Sequence, residues 1–231
     1  MSLVFTAPSH ARLIIPDKSF NPHSIPAFAS DDDDQRPIIY LPPLLSSLPP
    51  KYPKHGLTSA HTPLHTDTHL PDIDPVSLSL HRALHHFRPL NDNYASVPYA
   101  TAFNWSELEL PLEDEREWYI VAFRSARRHG SDGDPLYAAD KLAHEEAVQN
   151  GGLIMYWYGL PNPETGMNLA TCIWQSRRHA LAAISGPHHS RAMKLAHASF
   201  STYSLERHVL RKTKGERHVR VEEYHGGEVG W

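Results

Sequence analysis

Residues 153–174 read LIMYWYGLPNPETGMNLATCIW. Two runs of aromatic and branched apolar residues, 153–158 and 169–174, flank a stretch holding Pro161, Pro163 and Gly166. Each run has strand length and strand composition, and the Pro/Gly cluster between them is a reversal, so the pair is an antiparallel hairpin. The pattern extends outward on both sides. Upstream, Gly151-Gly152 supplies a left-handed stop for a helix that Asp134-Pro135 begins, with Leu136, Ala139, Ala143 and Ala147 on one stripe. Before it, residues 117–125 (EWYIVAFRS) form another strand. Downstream, Ser176 caps a helix through Ile184, which breaks at 185–186 and restarts at Pro187 with Met193 and Phe200 on its apolar side. Residues 202–210 (TYSLERHVL) close the series as a fourth strand.

The order β-α-β-β-α-β defines an α+β domain of the ferredoxin-like, split β-α-β kind over residues 116–213. Right-handed crossovers put both helices on one face of a four-stranded antiparallel sheet. The opposite face carries too many large apolar side chains to stand in water. A second copy closing a dimeric α/β barrel is the expected cover, which makes a homodimer the expected assembly. The N-terminal extension is the competing cover.

That extension has a different character. Of 20 prolines in the 231-residue chain, 16 precede residue 116, and proline removes a backbone donor and fixes φ. Residues 1–72 read as a Pro/His-rich, largely irregular extension. The acidic run 31–34 reads as a solvated loop, the apolar pieces 13–15 and 38–41 as extended arms or edge strands, and 42–71 as a linker. Residues 73–115 read as a helical and irregular lead-in: Asp74-Pro75 is a helix start, and Val76, Leu80, Leu84 and Phe87 follow at helical spacing. Residues 214–231 read as a polar tail.

Charge divides along the same line, with 7 Lys/Arg against 14 Asp/Glu before residue 116 and 15 against 12 after it. Neither half has the dense basic face that phosphate neutralisation requires, so nucleic acid is not an expected partner. No run of 18 apolar residues exists to span a membrane. The single cysteine, Cys172, cannot form an internal disulfide and sits in a strand, which points to a buried structural thiol in a reducing compartment, cytoplasm or nucleus. No phosphate-binding glycine loop and no nucleophile elbow is present, so no nucleotide cofactor and no serine hydrolysis is expected.

The pieces 152–159 (GLIMYWYG), 173–177 (IWQSR), 185–189 (SGPHH) and 203–207 (YSLER) resemble an uncharacterised family of fungal proteins over roughly residues 74–213. That resemblance implies no reaction. At the level of fold, Trp174 closing a strand, then a short helix at 176–184, a break and a longer helix at 187–200, is similar to the antibiotic-biosynthesis-monooxygenase group of dimeric α/β barrels. That group includes cofactor-free oxygenases, cyclases and haem-degrading enzymes, so the resemblance implies a fold and leaves the chemistry open.

Histidine is in excess, at 18 residues. His61, His65 and His69 are spaced by four, but Pro63 and Pro71 oppose the helix that would align them, so no metal site is expected. The strands give the best candidate set. Period-two alternation puts Arg124 with Ile120 and Ala122, Trp157 with Met155, and Glu206 with Ser204 and His208. If these share one face, it has the mostly apolar, sparsely polar character of a ligand cavity. Glu206 and His208 are then the candidate base and its orienting partner. Arg124 would hold an anionic group, Trp157 and Trp174 would wall the pocket, and His188, opening a helix, would meet a ligand carbonyl. Such a protein would be a small-molecule enzyme working without an organic cofactor on a hydrophobic substrate. The alternative is a non-enzymatic binding or interaction module whose outer strand simply turns charge to water.

Overall fold

In the computed structural model, residues 44–46, 74–131, 134–159, 161–162 and 164–230 are described. The apolar pieces 13–15 and 38–41, the acidic run and the His61/His65/His69 series lie outside them.

The central sheet assembles as expected. Strands β2 (Arg116–Arg127), β3 (Leu153–Tyr158), β4 (Met167–Trp174) and β5 (Phe200–Lys212) lie in the order β3-β4-β2-β5, all antiparallel. Helix α3 (Asp134–Asn150) joins β2 to β3, while α4 (Arg177–Ile184) and α5 (Pro187–Ser199) join β4 to β5. Gly151 and Gly152, at φ 85° and 77°, end α3. The Ser176 hydroxyl accepts from the His179 backbone N–H at the start of α4. Glu146 of α3 accepts from the His189 backbone N–H at 3.0 Å and so caps α5.

Two further strands flank this core. β1 (Leu44–Ser46), inside the stretch read as a linker, runs parallel to β3 at one edge. At the other edge β6 (Val219–Glu223) pairs antiparallel with β5. The tail after residue 213 is therefore structured and not merely polar. Val219 and Val229 are buried, Arg177 donates its backbone N–H to the Val229 carbonyl at 2.9 Å, and Gly230 bridges to Ser176. Gly230 adopts φ +70° with its α-carbon so close to the Gln175 carbonyl that an added Cβ would stand 2.3 Å from the oxygen. Only glycine fits that approach.

The sheet has a core on each face. Residues 74–110 cover the face away from α3, α4 and α5. Asp74 caps α1 (Pro75–Ala83) by accepting from the Ser77 N–H at 2.8 Å, and Pro75 occupies the first turn. Leu80, Leu84, Phe87, Tyr99, Phe103 and Trp105 then pack on Trp118, Ile120, Met155, Trp157 and Ile173. Trp118 donates Nε1–H to the Ser77 hydroxyl at 2.8 Å, and His81 meets the Ile154 carbonyl at 3.0 Å. The place assigned from sequence to a second copy is thus filled by the same chain. The other core joins the helices to the sheet through Tyr119, Val148, Leu153, Trp174, Ala180, Ala183 and Val209.

Candidate functional site

The alternation read from the strands holds in three dimensions. Ile120 pairs with His208, Ala122 with Glu206 and Arg124 with Ser204, and directly opposed residues share a face. Ala122 and Arg124 also oppose Thr171 and Leu169, and Trp157 opposes Thr171. Arg124, Trp157, Glu206 and His208 therefore all lie on the face that the lead-in covers.

Their surroundings differ from a ligand cavity. The Arg124 guanidinium is almost wholly committed within the chain. It pairs through Nε with Glu206, and donates to the carbonyls of Ala95 at 2.6 Å and Val97 at 2.7 Å. His208 stacks on Tyr99 with ring centroids 4.7 Å apart and reaches Glu206 at 3.4 Å. Burial pulls the His208 pKa below its ordinary value, partly opposed by Glu206. Glu206 and His208 border an open groove with Arg177, Glu223 and Tyr224. Trp157 is in the apolar core with Phe87 and Phe103. Arg124, Glu206 and His208 are thus brought together, but as a brace tying residues 94–97 to the sheet.

The enclosed space lies on the opposite face, between α3, α5 and the sheet. A partly open cavity of about 180 Å³ is bounded by apolar and aromatic residues, among them Phe123, Leu136, Ala143, Trp174, Met193 and Phe200. Trp174 alone of the candidates lines it. His188 is exposed beside α5, and its neighbour His189 reaches the cavity instead.

Within these apolar walls sits a polar cluster that the sequence reading passed over. Asp140 and His144 are one turn apart on α3, and both face the cavity. Tyr156 of β3 donates its phenolic O–H to Asp140, with O···O distances of 3.0 and 3.1 Å. The Tyr156 ring lies 5.5 Å from that of His144 and 5.7 Å from that of Tyr158. His144 Nδ1 is buried with no hydrogen-bond partner among the described residues. The surface that Asp140, His144, Tyr156 and Cys172 leave uncovered opens on this cavity.

Desolvation sets the electrostatics, because an apolar setting disfavours charge of either sign. Burial pushes the Asp140 carboxyl up to about 6, against some relief from the Tyr156 hydrogen bond. Burial pulls His144 down to about 4, so its imidazole is neutral at pH 7. The phenol of Tyr156 and the thiol of Cys172 are both raised by burial, and the nearby Asp140 carboxylate adds to each. Cys172 is thus a protonated, unreactive thiol in the cavity wall. Asp140 and His144 are metal-ligand types at helical spacing, but among the described residues no group of three such side chains is positioned to hold an ion.

The signal for this cluster was present in the sequence. The α3 stripe 136, 139, 143, 147 includes positions 140 and 144 on its shoulder. An Asp and a His there are polar residues on a buried stripe, which is the informative kind of exception.

Fold and cavity together define an α+β domain of ferredoxin-like topology, with a ligand-sized space between its helices and its sheet. A model of the PB2B2.08-like family matches residues 60–223. The UPF0643 protein PB2B2.08 of Schizosaccharomyces pombe is 33% identical over 166 residues, spanning 64% of this chain and 76% of that protein. The chain belongs to the PB2B2.08-like family. Among solved structures, SnoaB from Streptomyces nogalater, a cofactor-independent oxygenase, aligns at 13% identity over 44% of this chain and 99% of its own, with a TM-score of 0.35. A putative antibiotic biosynthesis monooxygenase from Nitrosomonas europaea aligns at 10% identity over 39% of this chain and 94% of its own, with a TM-score of 0.34. Among the described residues no helix is long and apolar enough to cross a membrane.

Proposed function

We propose that the protein binds a small, largely hydrophobic molecule in the cavity beneath α3 and α5, and that the Asp140–Tyr156 pair anchors the molecule's polar end. The carrying observation is the hydrogen-bonded carboxyl–phenol pair set into largely apolar walls. Ligand sites have this composition: broad apolar contact for affinity and a few fixed polar groups for orientation. A dry apolar cavity of about 150 Å³ accepts a single aromatic ring, so the space here suits a ligand of that size.

The same cluster carries the enzymatic form of this reading. Asp140 and His144 have pKa values displaced in opposite directions, to about 6 and about 4. Groups pushed apart in this way are suited to separate proton-donating and proton-accepting roles. The neutral His144 imidazole, which borders the cavity, is the group suited to move a proton on a bound ligand. Proton transfer of this kind is shared by cofactor-independent isomerases, cyclases and oxygenases. The Arg124–Glu206–His208 chain is less suited to the task, because its guanidinium already serves backbone carbonyls.

Titrating the protein with 2-phenylethanol under NMR observation tests the binding site. Shifts confined to residues of α3, α5, β3 and β4, lost in Ala143→Phe where the new ring fills the space, are the expected result. Saturating shifts elsewhere, or none at all, would overturn the assignment. His144→Gln, which keeps a planar polar side chain, should leave ligand binding intact and stop turnover of a substrate once one is identified. Undiminished turnover would remove His144 from the chemistry.

A further inference from the structure

We infer that the ligand's polar end is a protonated amine, received by the Asp140 carboxylate and the aromatic rings beside it; this rests on the cavity being the binding site. The inference starts from what surrounds the carboxylate. Asp140 accepts one hydrogen bond from Tyr156 and leaves acceptor capacity on both oxygens. The ionisable groups bordering the cavity besides Asp140 are His144 from α3, Tyr156 and Tyr158 from β3, Cys172 from β4, Arg127 from β2, His189 from α5 and Tyr203 from β5. None of them supplies a charge that stabilises Asp140, whose displacement comes from burial, offset only by the phenol. Burial keeps His144 and His189 below their ordinary values and therefore neutral at pH 7. The Arg127 guanidinium donates to the Ser131 carbonyl and, at 3.2 Å, to the Ser131 hydroxyl, on the loop that follows β2.

At neutral pH the cavity therefore holds a carboxylate with no cation set against it among the described residues. A buried carboxylate without a counter-charge is costly, and a ligand that brings the counter-charge removes that cost on binding. A carboxylate or phosphate ligand would meet Asp140 as a like charge. A neutral ligand would leave the charge uncompensated. A primary ammonium matches on two counts. Its N–H donors meet the free lone pairs of Asp140 in charge-assisted hydrogen bonds. Its charge faces the rings of Tyr156 and Tyr158, which lie side by side, tilted by 42° with centroids 5.7 Å apart. The remaining apolar wall then receives the body of the molecule, so the class is a small arylalkyl or alkyl amine.

Calorimetry with 2-phenylethylamine, its neutral analogue 2-phenylethanol and its anionic analogue phenylacetate separates this inference from the reading beneath it. The amine should bind about tenfold more tightly than the alcohol, as one charge-assisted contact implies, and phenylacetate should not bind. In Asp140→Asn the amine's advantage should vanish, so that amine and alcohol bind alike, and a thermal midpoint at pH 4 equal to that of the unaltered protein reports that the variant is folded. In the unaltered protein the advantage should fade as pH drops below about 6 and Asp140 takes up its proton, the amine's affinity falling towards that of the alcohol. If the alcohol binds and the amine binds no better, the amine is excluded and the cavity stands. If the amine's advantage survives Asp140→Asn or persists to pH 4, Asp140 is not its receptor and the inference fails. If none of the three binds, the cavity reading fails with it.

Discussion

Asp140 is a buried carboxyl that works against the fold. Burial pushes its carboxyl from the ordinary 3.8 up to about 6. A group whose folded pKa is raised stabilises the protein below its unfolded pKa, and that stabilisation is lost as pH rises through the folded value. The loss for Asp140 falls between about pH 4 and pH 6. His144 and His81 act in the opposite sense. Both are lowered from 6.5 to about 4, so their contribution is complete above 6.5 and disappears as pH falls towards 4. Two histidines outweigh one carboxyl, and net stability should rise from pH 4 to pH 6.5. Asp140→Asn removes an opposing group; burial also raises the Asp114 carboxyl, which stays in place. We expect it to raise stability at pH 7.5 by on the order of 1–3 kcal/mol. At pH 4, where the native carboxyl is already neutral, it should make almost no difference. Thermal melts at the two pH values decide this, and a destabilised variant at pH 7.5 would contradict the uncompensated charge. At this scale the sequence was half legible. Strand parity placed Arg124, Glu206 and His208 on one face because a period of two leaves no choice. It could not tell that their face would be sealed by the lead-in, nor that Asp140 and His144, beside the small Ala139 and Ala143, would face inward.

Among the elements, the lead-in is held by contacts that can be cut singly. Arg124 joins three backbone positions of the segment 94–97 to Glu206 of β5, and its side chain is only 11% exposed. Arg124→Met keeps the aliphatic bulk while leaving Glu206 and the carbonyls without their donor. It should cost about 2–4 kcal/mol, since breaking a shielded pair strands the other charge. Hydrogen exchange should quicken first in residues 94–110, with β2 and β4 still protected. Uniform loss of protection, or none, would show that Arg124 does not act as a local brace. The four central strands and three helices were readable because each carries its own punctuation: Asp134-Pro135, Gly151-Gly152, Ser176, Gly186-Pro187. β6 was not. Its Val219 and Val221 alternate with Arg220 and Glu222 over five residues, beyond the polar turn 213–218. So short a strand is specified by the open edge of β5 more than by its own composition.

For the whole molecule, the question is what shields the second sheet face. Leu80, Leu84 and Phe87 are buried to 1% exposure or less against it. A partner copy would have to displace this segment to build a barrel there. We expect a monomer in sedimentation velocity at micromolar concentration. A dimer whose contacts, by cross-linking, map to residues 74–110 and β2 would mean that the segment is exchanged or displaced in solution. The sequence offered a second copy or the extension 1–72, and neither is the lead-in that covers the face, because the sequence shows only that the face must be hidden. Which segment hides it is decided by packing between residues far apart in the chain.

The position of that cover along the chain has a bearing on biosynthesis. β2 is the central strand, yet its neighbours lie far behind it: Ile120 pairs with Ile173 on one side and His208 on the other. Until those residues have left the ribosome, the apolar stretch from Trp118 to Phe123 has no strand beside it. Such long-range pairing is slow, and unpaired strands invite aggregation while it is awaited. Residues 74–110 are translated immediately before β2. A shield drawn from a second polypeptide would arrive only by collision, at a rate set by how much protein the cell has made. This one is tethered to its target and is present at the same effective concentration in the first molecule synthesised as in the last.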